Sequence, residues 1–80
     1  MMGQQQVTLY TTPTCPYCRM AKRFLQENRI PFREVDLTVD IHEQETVYRA
    51  TGTLAVPQIN VNGRWIVGYD PARMMQYLHG

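Results

Sequence analysis

The sequence is poor in the features that define several large classes of protein. Its 80 residues include only two cysteines, and the formal net charge is +1. Two cysteines cannot form the several disulfides that hold small secreted domains together. The balanced charge gives no sign of a nucleic-acid or membrane partner. No apolar run approaches the roughly 20 residues of a transmembrane helix, and a signal peptide does not fit a chain that starts "MMGQQQ".

These absences favour a small domain in a reducing compartment, which we expect to be the cytoplasm. A chain of this length buries only about 60% of the surface that it exposes when unfolded, so its core is small. We therefore expect a single domain over residues 1–80, and we expect the protein to be a monomer. The first residues are rich in glutamine, and we expect residues 1–5 to be disordered.

The first half of the chain predicts a strand, a helix and a second strand. The β-rich "QVTLY" ends at the turn formers "TTPT", and a helical pattern follows from Pro16 to about Asn28. The apolar stripe of this helix consists of Met20, Ala21, Phe24 and Leu25. Pro31 interrupts the helical pattern, and "FREVDL" then predicts the second strand. A strand, a helix and a strand in this order form a right-handed parallel unit.

The second half predicts a helix, a hairpin and a last helix. Asp40 and Glu43 resemble a capping pair, and the helix that they open ends at Gly52. An Asn-Gly pair, the strongest short-range hairpin signal, lies between "VPQINV" and "RWIVG". Asp70 followed by Pro71 is typical of the start of a helix. The order is β-α-β-α-β-β-α, which predicts an α/β fold with one four-stranded mixed sheet and helices on both faces.

Both cysteines lie at the start of the first predicted helix, in "TCPYC". Cys15 precedes the first helical turn, where unpaired backbone amides and the positive end of the helix dipole favour its thiolate over its thiol. Arg19 and Lys22 add positive charge nearby. Cys18 falls on the apolar face of the helix and is predicted to point inward. This asymmetry predicts dithiol exchange, in which Cys15 attacks a substrate disulfide and Cys18 then displaces the product.

A zinc site is the main alternative that the residues themselves leave open. It needs two ligands besides the cysteines, and only His42, His79 and carboxylates are available. The two histidines lack ligand-like spacing, and we expect both at the surface. We therefore favour redox chemistry, and we expect neither metal ligands nor a bound cofactor.

In this setting "TCPYC" resembles the active-site motif of the glutaredoxins, which are small members of the thioredoxin-like superfamily. The resemblance extends from Val7 to about Leu78 and includes "AVPQINVNG", which is similar to the family's Thr-Val-Pro segment and hairpin. It implies a thioredoxin-like fold and a cis peptide bond between Val56 and Pro57 that faces the cysteines. It also implies reduction of protein or glutathione mixed disulfides, with the Val56 backbone pairing with an extended substrate and glutathione as a candidate electron donor.

The sequence departs from the family pattern where glutathione binds. Thr12 replaces a lysine that glutathione-using members often have, and an alanine replaces the threonine of Thr-Val-Pro. Before the last helix, the family's Gly-Gly-x-Asp-Asp is replaced by "GYDPAR". Gly68 matches, Tyr69 replaces the second glycine, and Pro71 removes an amide at the helix N-terminus where, by the family resemblance, a glutathione carboxylate would bind. Asp70 adds a negative charge there, which favours weak or altered use of glutathione.

The "GYDP" ending is more similar to that of redoxins that donate hydrogen to ribonucleotide reductase and are reduced by thioredoxin reductase. The activity of such a redoxin is our alternative function. A purely structural interpretation is also open, in which Asp70 only caps the last helix and Tyr69 is only an aromatic residue at the rim of the site. A 2Fe–2S cluster held by Cys15 across a dimer, as in some glutaredoxins, is disfavoured by Pro16 and by the second cysteine.

The candidate catalytic residues are Cys15 and Cys18, and the candidate substrate- or glutathione-binding residues are Thr12, Tyr17, Val56, Pro57, Gly68, Tyr69 and Asp70.

Overall fold

A computed structural model describes residues 6–79, and the predicted order of strands and helices is confirmed there. The elements are β1 Val7–Thr11, α1 Pro16–Glu27, β2 Arg33–Asp36, α2 Ile41–Thr51, β3 Gln58–Val61, β4 Arg64–Val67 and α3 Pro71–His79. The expected disorder of residues 1–5 concerns a segment outside the described residues. No helix between residues 6 and 79 is both long enough and apolar enough to span a bilayer.

The strands form one four-stranded sheet in the order β2-β1-β3-β4. β1 pairs in parallel with β2, and α1 makes the crossover between them. β1 also pairs antiparallel with β3, which pairs antiparallel with β4. The turn between β3 and β4 is the predicted Asn-Gly pair, with positive φ values of 54° at Asn62 and 92° at Gly63. The predicted mixed sheet is therefore confirmed.

The two faces of the sheet bury separate sets of apolar side chains. Because side chains alternate along a strand, Leu9 of β1 points to one face and Tyr10 points to the other. The first face packs against α1 and α3, in a cluster of Val7, Leu9, Ala21, Leu25, Ile59, Val61, Ile66, Met74 and Leu78. The second face packs against α2, in a cluster of Tyr10, Val35, Leu37 and Val47. Helices therefore cover both faces, as predicted.

The apolar stripe predicted for α1 is wrong at one position. Met20 is 46% exposed, whereas Cys18, Ala21 and Leu25 are the buried residues of this helix. The reason is geometric, since each helical residue advances by about 100° and Met20 therefore lies about 200° around the axis from Cys18. The inward face of α1 is centred on Cys18 and Leu25, so the second cysteine is part of the core.

Candidate active site

Cys15 is the N-cap residue of α1. Its backbone is extended, with φ −96° and ψ 111°, and its Sγ accepts a hydrogen bond from the backbone amide of Cys18 at 3.2 Å. Pro16 occupies the first turn of the helix, where its missing N–H removes no helical bond. Cys15 is partly exposed, so a substrate can reach a sulfur that the start of the helix holds in place.

Cys18 lies one turn further along α1 and is only 3% exposed. Burial raises the pKa of the Cys18 thiol to about 12, and the hydrogen bond with Cys15 and the negative charge of Glu34 act in the same direction. A backbone hydrogen bond with Thr12 opposes them. Cys18 is therefore a protonated, shielded thiol at neutral pH, and its predicted inward orientation is confirmed.

The loop before β3 brings the Val56 backbone to Cys15. The Cys15 Sγ lies 3.8 Å from the Val56 carbonyl oxygen, to which its thiol form can donate. The Val56–Pro57 peptide bond is cis, as the resemblance implies. The Val56 amide has no hydrogen-bond partner among residues 6–79.

Gln58 holds this loop in place, a role that the sequence did not suggest. Its side chain is fully buried at the start of β3, and its Nε2 donates to the carbonyl oxygens of Thr53 and Ala55, at 2.9 Å each. The Ala55 amide donates in turn to Thr53 Oγ1 at 3.0 Å. A lone glutamine at the start of a strand carries no local signal for this role, because both carbonyls belong to an irregular segment.

Tyrosines and the start of α3 form the other side of the candidate site. The Tyr17 and Tyr69 rings stack with their centroids 6.5 Å apart, and Tyr17 is 59% exposed. Asp70 Oδ1 accepts a hydrogen bond from the Arg73 amide at 3.1 Å. Asp70 therefore caps α3, which is one of the two alternatives for this residue, and its charge lies at the helix N-terminus. Pro71 is the first residue of α3.

Thr12 lies on the side of Cys15 that faces β2. Its carbonyl oxygen accepts a hydrogen bond from the Cys15 amide at 3.4 Å. Thr12 also lines a cavity of about 390 Å³ together with Thr11, Pro13, Cys18, Arg19, Lys22, Glu34 and Asp36. Across this cavity Lys22 Nζ forms an ion pair of 2.9 Å with Glu34 Oε1, and the Thr11 hydroxyl donates to Glu34 Oε2 at 3.3 Å.

Metal-ligating side chains are dispersed within residues 6–79. Nowhere in that range do three His, Cys, Asp or Glu side chains lie close enough to hold a metal ion. His42 and His79 are both exposed, which confirms the predicted surface position of the histidines.

Comparison with known proteins decides the family. The glutaredoxin family profile matches residues 7–66. The chain belongs to the glutaredoxin family. It is 34% identical over 64 residues to Glutaredoxin 3 of Escherichia coli strain K12, covering 80% of this chain and 77% of that protein. It is 35% identical over 68 residues to an uncharacterized glutaredoxin-like 8.6 kDa protein of the Clostridium pasteurianum rubredoxin operon, covering 85% of this chain and 91% of that protein.

A solved structure with the same fold is that of the NrdH-redoxin of Escherichia coli. It superposes with a TM-score of 0.80 at 21% identity, covering 89% of this chain and 92% of that chain. At this identity the likeness shows the fold alone. This glutaredoxin is therefore a thioredoxin-like redox protein with a Cys-X-X-Cys pair, from a family of thiol–disulfide oxidoreductases.

The structure brings most of the predicted site residues to one end of the sheet. Cys15 contacts Cys18, Val56 and the Thr12 backbone, while Pro57 accepts a hydrogen bond from the Gly68 amide. The aromatic rings of Tyr17 and Tyr69 stack against each other. For Asp70 the contact is with Arg73 of its own helix, and its role toward a substrate stays a prediction.

Proposed function

We propose that this glutaredoxin is a dithiol thiol–disulfide oxidoreductase that reduces protein or glutathione mixed disulfides. The observation that supports it is the pairing of a partly exposed N-cap thiol, Cys15, with a buried thiol whose own amide donates to it at 3.2 Å. An amide donor favours the charged form of the sulfur that accepts from it. The two thiols therefore differ in the way that a nucleophile and a resolving thiol must differ.

Each turnover transfers two electrons from the protein to the substrate. The Cys15 thiolate attacks one sulfur of the substrate disulfide, that bond breaks, and the first product leaves as a thiolate. Cys18 then loses its proton and attacks Cys15 Sγ, which breaks the mixed disulfide and releases the second thiolate. The protein is left with a Cys15–Cys18 disulfide, which a reductant must open before the next cycle.

The substrate-binding part of the proposal concerns the Val56 loop and the tyrosine rim. An extended peptide can pair with the Val56 amide, which has no partner within the described part of the chain, as a strand is added to a sheet edge. Tyr17 and Tyr69 then lie beside the peptide as an aromatic wall. We assign Pro57 and Gly68 to the support of this groove.

Serine substitution of each cysteine tests the proposed function. Cys15→Ser should abolish reduction of a protein mixed disulfide, because a serine hydroxyl does not ionise near neutral pH. Cys18→Ser should accumulate a mixed disulfide on Cys15 that mass spectrometry detects, or should retain only glutathione-dependent activity. Thermal melting checks that both variants fold. Full activity of Cys15→Ser contradicts the proposal.

For the electron donor, we propose weak use of glutathione. The start of α3 already carries the Asp70 carboxylate and lacks the amide that Pro71 removes, so it offers little to a glutathione carboxylate. The alternative that these residues favour is a redoxin reduced by thioredoxin reductase that donates electrons to ribonucleotide reductase. The solved NrdH-redoxin is described as having a thioredoxin-like activity profile. Two turnover rates on one disulfide substrate distinguish the donors. One is measured with glutathione plus its reductase, and the other with thioredoxin reductase.

We propose that the protein acts as a monomer in the cytoplasm. Its two cysteine sulfurs carry the electrons, and no bound cofactor is needed. A 2Fe–2S cluster bound within one chain needs more cysteine thiolates than the two in this sequence, one of which is buried. An absorption spectrum of anaerobically purified protein checks for a cluster, and metal analysis checks for zinc. Stoichiometric iron or zinc contradicts this part of the proposal.

A further inference from the structure

The burial of Cys18 creates a chemical requirement in the second step of the proposed reaction. A thiolate, not a thiol, attacks a disulfide. Cys18 is only 3% exposed, and burial raises the pKa of its thiol, so little of it is ionised at neutral pH. The step therefore needs a group near Cys18 that can take its proton as the sulfur attacks.

The groups that can do so border the cavity beside Cys18. The charged side chains that line it are Arg19 and Lys22 of α1 and Glu34 and Asp36 of β2. Arginine and lysine are protonated at neutral pH and have no free acceptor, so they cannot take a proton. Cys15 is bonded to the substrate at this stage. Within the described residues, the carboxylates of Glu34 and Asp36 are therefore the candidate acceptors around the cavity.

Glu34 is better suited than Asp36. Asp36 Oδ1 accepts hydrogen bonds from the Thr38 amide at 2.9 Å and from the Thr38 hydroxyl at 2.6 Å, and Asp36 is not among the groups that shift the pKa of Cys18. Glu34 is held over the cavity by Lys22 and by the Thr11 hydroxyl, and its charge acts on Cys18. We infer that Glu34 accepts the Cys18 proton during resolution of the mixed disulfide, through water in the cavity. This inference rests on the proposed dithiol function.

The proton and the electrons balance in this step. The Cys18 proton passes through water to the Glu34 carboxylate, the Cys18 sulfur forms a bond to Cys15 Sγ, and the substrate sulfur leaves with the electron pair of the broken bond. Protonation neutralises Glu34 and so removes a negative charge that opposes ionisation of Cys18. The Glu34 side chain is 38% exposed, so the proton can then pass to solvent.

Glu34→Gln separates this role from a purely electrostatic one because the two predict opposite changes. Removing a negative charge beside Cys18 should ease its ionisation and speed resolution if Glu34 only repels the thiolate. Removing a proton acceptor should slow resolution. Glutamine keeps the size of the side chain and an oxygen that can accept from Thr11, and the ion pair that it loses is half-exposed, so the variant should fold.

The measurement is a stopped-flow reaction of the reduced protein with a symmetrical aromatic disulfide that releases a coloured thiolate. The first pulse of colour reports attack by Cys15, and the second reports resolution by Cys18. At pH 7, Glu34→Gln should slow the second pulse on the order of 100-fold and leave the first unchanged. Its second pulse should then accelerate about tenfold for each pH unit, because hydroxide replaces the lost acceptor. Glu34→Asp should restore part of the rate.

A control variant and three alternative results decide whether the inference holds. Glu45→Gln removes an exposed carboxylate on α2 and should leave both pulses unchanged. A second pulse that is unchanged or faster in Glu34→Gln overturns the inference, as does a slower second pulse in Asp36→Asn but not in Glu34→Gln. Parallel slowing of both pulses also overturns it, because that indicates a general change at the site. Absence of a second pulse in the unsubstituted protein contradicts the dithiol function itself.

Discussion

The Gly68 amide donates a hydrogen bond of 2.8 Å to the Pro57 carbonyl oxygen, which ties the end of β4 to the loop that carries Val56. Gly68 has a φ of +96°, a conformation that L side chains rarely adopt. The position of the Val56 carbonyl beside Cys15 therefore depends on a residue that is distant from the cysteines in sequence.

Gly68→Ala should lower the free energy of unfolding by about 1–2 kcal/mol and should also slow exchange at Cys15. No atom lies within 4 Å of the added Cβ, so the loss comes from backbone strain and not from a clash. Urea unfolding and the rate of mixed-disulfide reduction measure the two effects. Gly63→Ala is the matched control, because φ is +92° at the opposite end of β4. It should lose similar stability and keep the exchange rate, and equal exchange rates in the two variants would contradict the role of Gly68.

Gln58→Met should destabilise the protein by about 1–3 kcal/mol, because the Thr53 and Ala55 carbonyls lose their buried donor. It should also raise KM for a protein disulfide, since the loosened loop carries Val56. Gln44→Met is the control, because its Nε2 donates to the Leu37 carbonyl beside α2. This control should lose stability without a change in KM. If KM changes in neither variant, the Gln58 bonds do not position the substrate loop.

The stability of the reduced protein should fall with pH above about 9 because of Cys18. The pKa of this thiol is raised from 9.0 to about 12 by burial, so the folded protein holds the proton more tightly than the unfolded chain. The resulting stabilisation is complete below pH 9 and is lost as the pH rises toward 12.

Urea unfolding between pH 8 and about pH 10.5, under reducing conditions, tests this for the unsubstituted protein and for Cys18→Ala. The difference in unfolding free energy between them should shrink as the pH rises. Burial and Glu43 also raise the pKa of Tyr10, but this residue is present in both proteins, so its effect cancels. A difference that does not change with pH would refute the raised pKa of Cys18.

Asp70→Asn should improve the use of glutathione. Asparagine keeps the N-cap of α3 but removes a negative charge from the helix N-terminus, where a carboxylate would bind. About 1 kcal/mol of relieved repulsion corresponds to roughly a fivefold lower KM for glutathione. Asp40→Asn changes the equivalent cap of α2 and should leave that KM unchanged. Equal KM values in both variants and the unsubstituted protein would show that Asp70 does not weaken glutathione binding.

Features that depend on neighbouring residues were predictable from the sequence. The N-caps at Cys15, Asp40 and Asp70 and the Asn-Gly hairpin are local, because each is decided within about four residues. The inward orientation of Cys18 follows from helical spacing alone. The cis bond at Val56–Pro57 was implied by the family resemblance, since spacing does not distinguish cis from trans.

Contacts between distant segments were not predictable in the same way. Glu34 comes close to Cys18 only because β1 and β2 pair in parallel, with a register that sets Leu9 opposite Glu34. Gln58 is buried because the loop before β3 folds over it, and no periodic pattern marks that position. Met20 was placed wrongly because an apolar residue next to the true stripe looks the same in a short helical pattern.

The shielded thiol one turn behind Cys15 has a consequence for damage by peroxides. An oxidant reaches the exposed sulfur first and converts it to a sulfenic acid. The Cys18 thiol can condense with that group, expelling water and forming a disulfide before further oxygen is added. Irreversible sulfinic and sulfonic acids should therefore accumulate when Cys18 is replaced, so the second sulfur also safeguards the first.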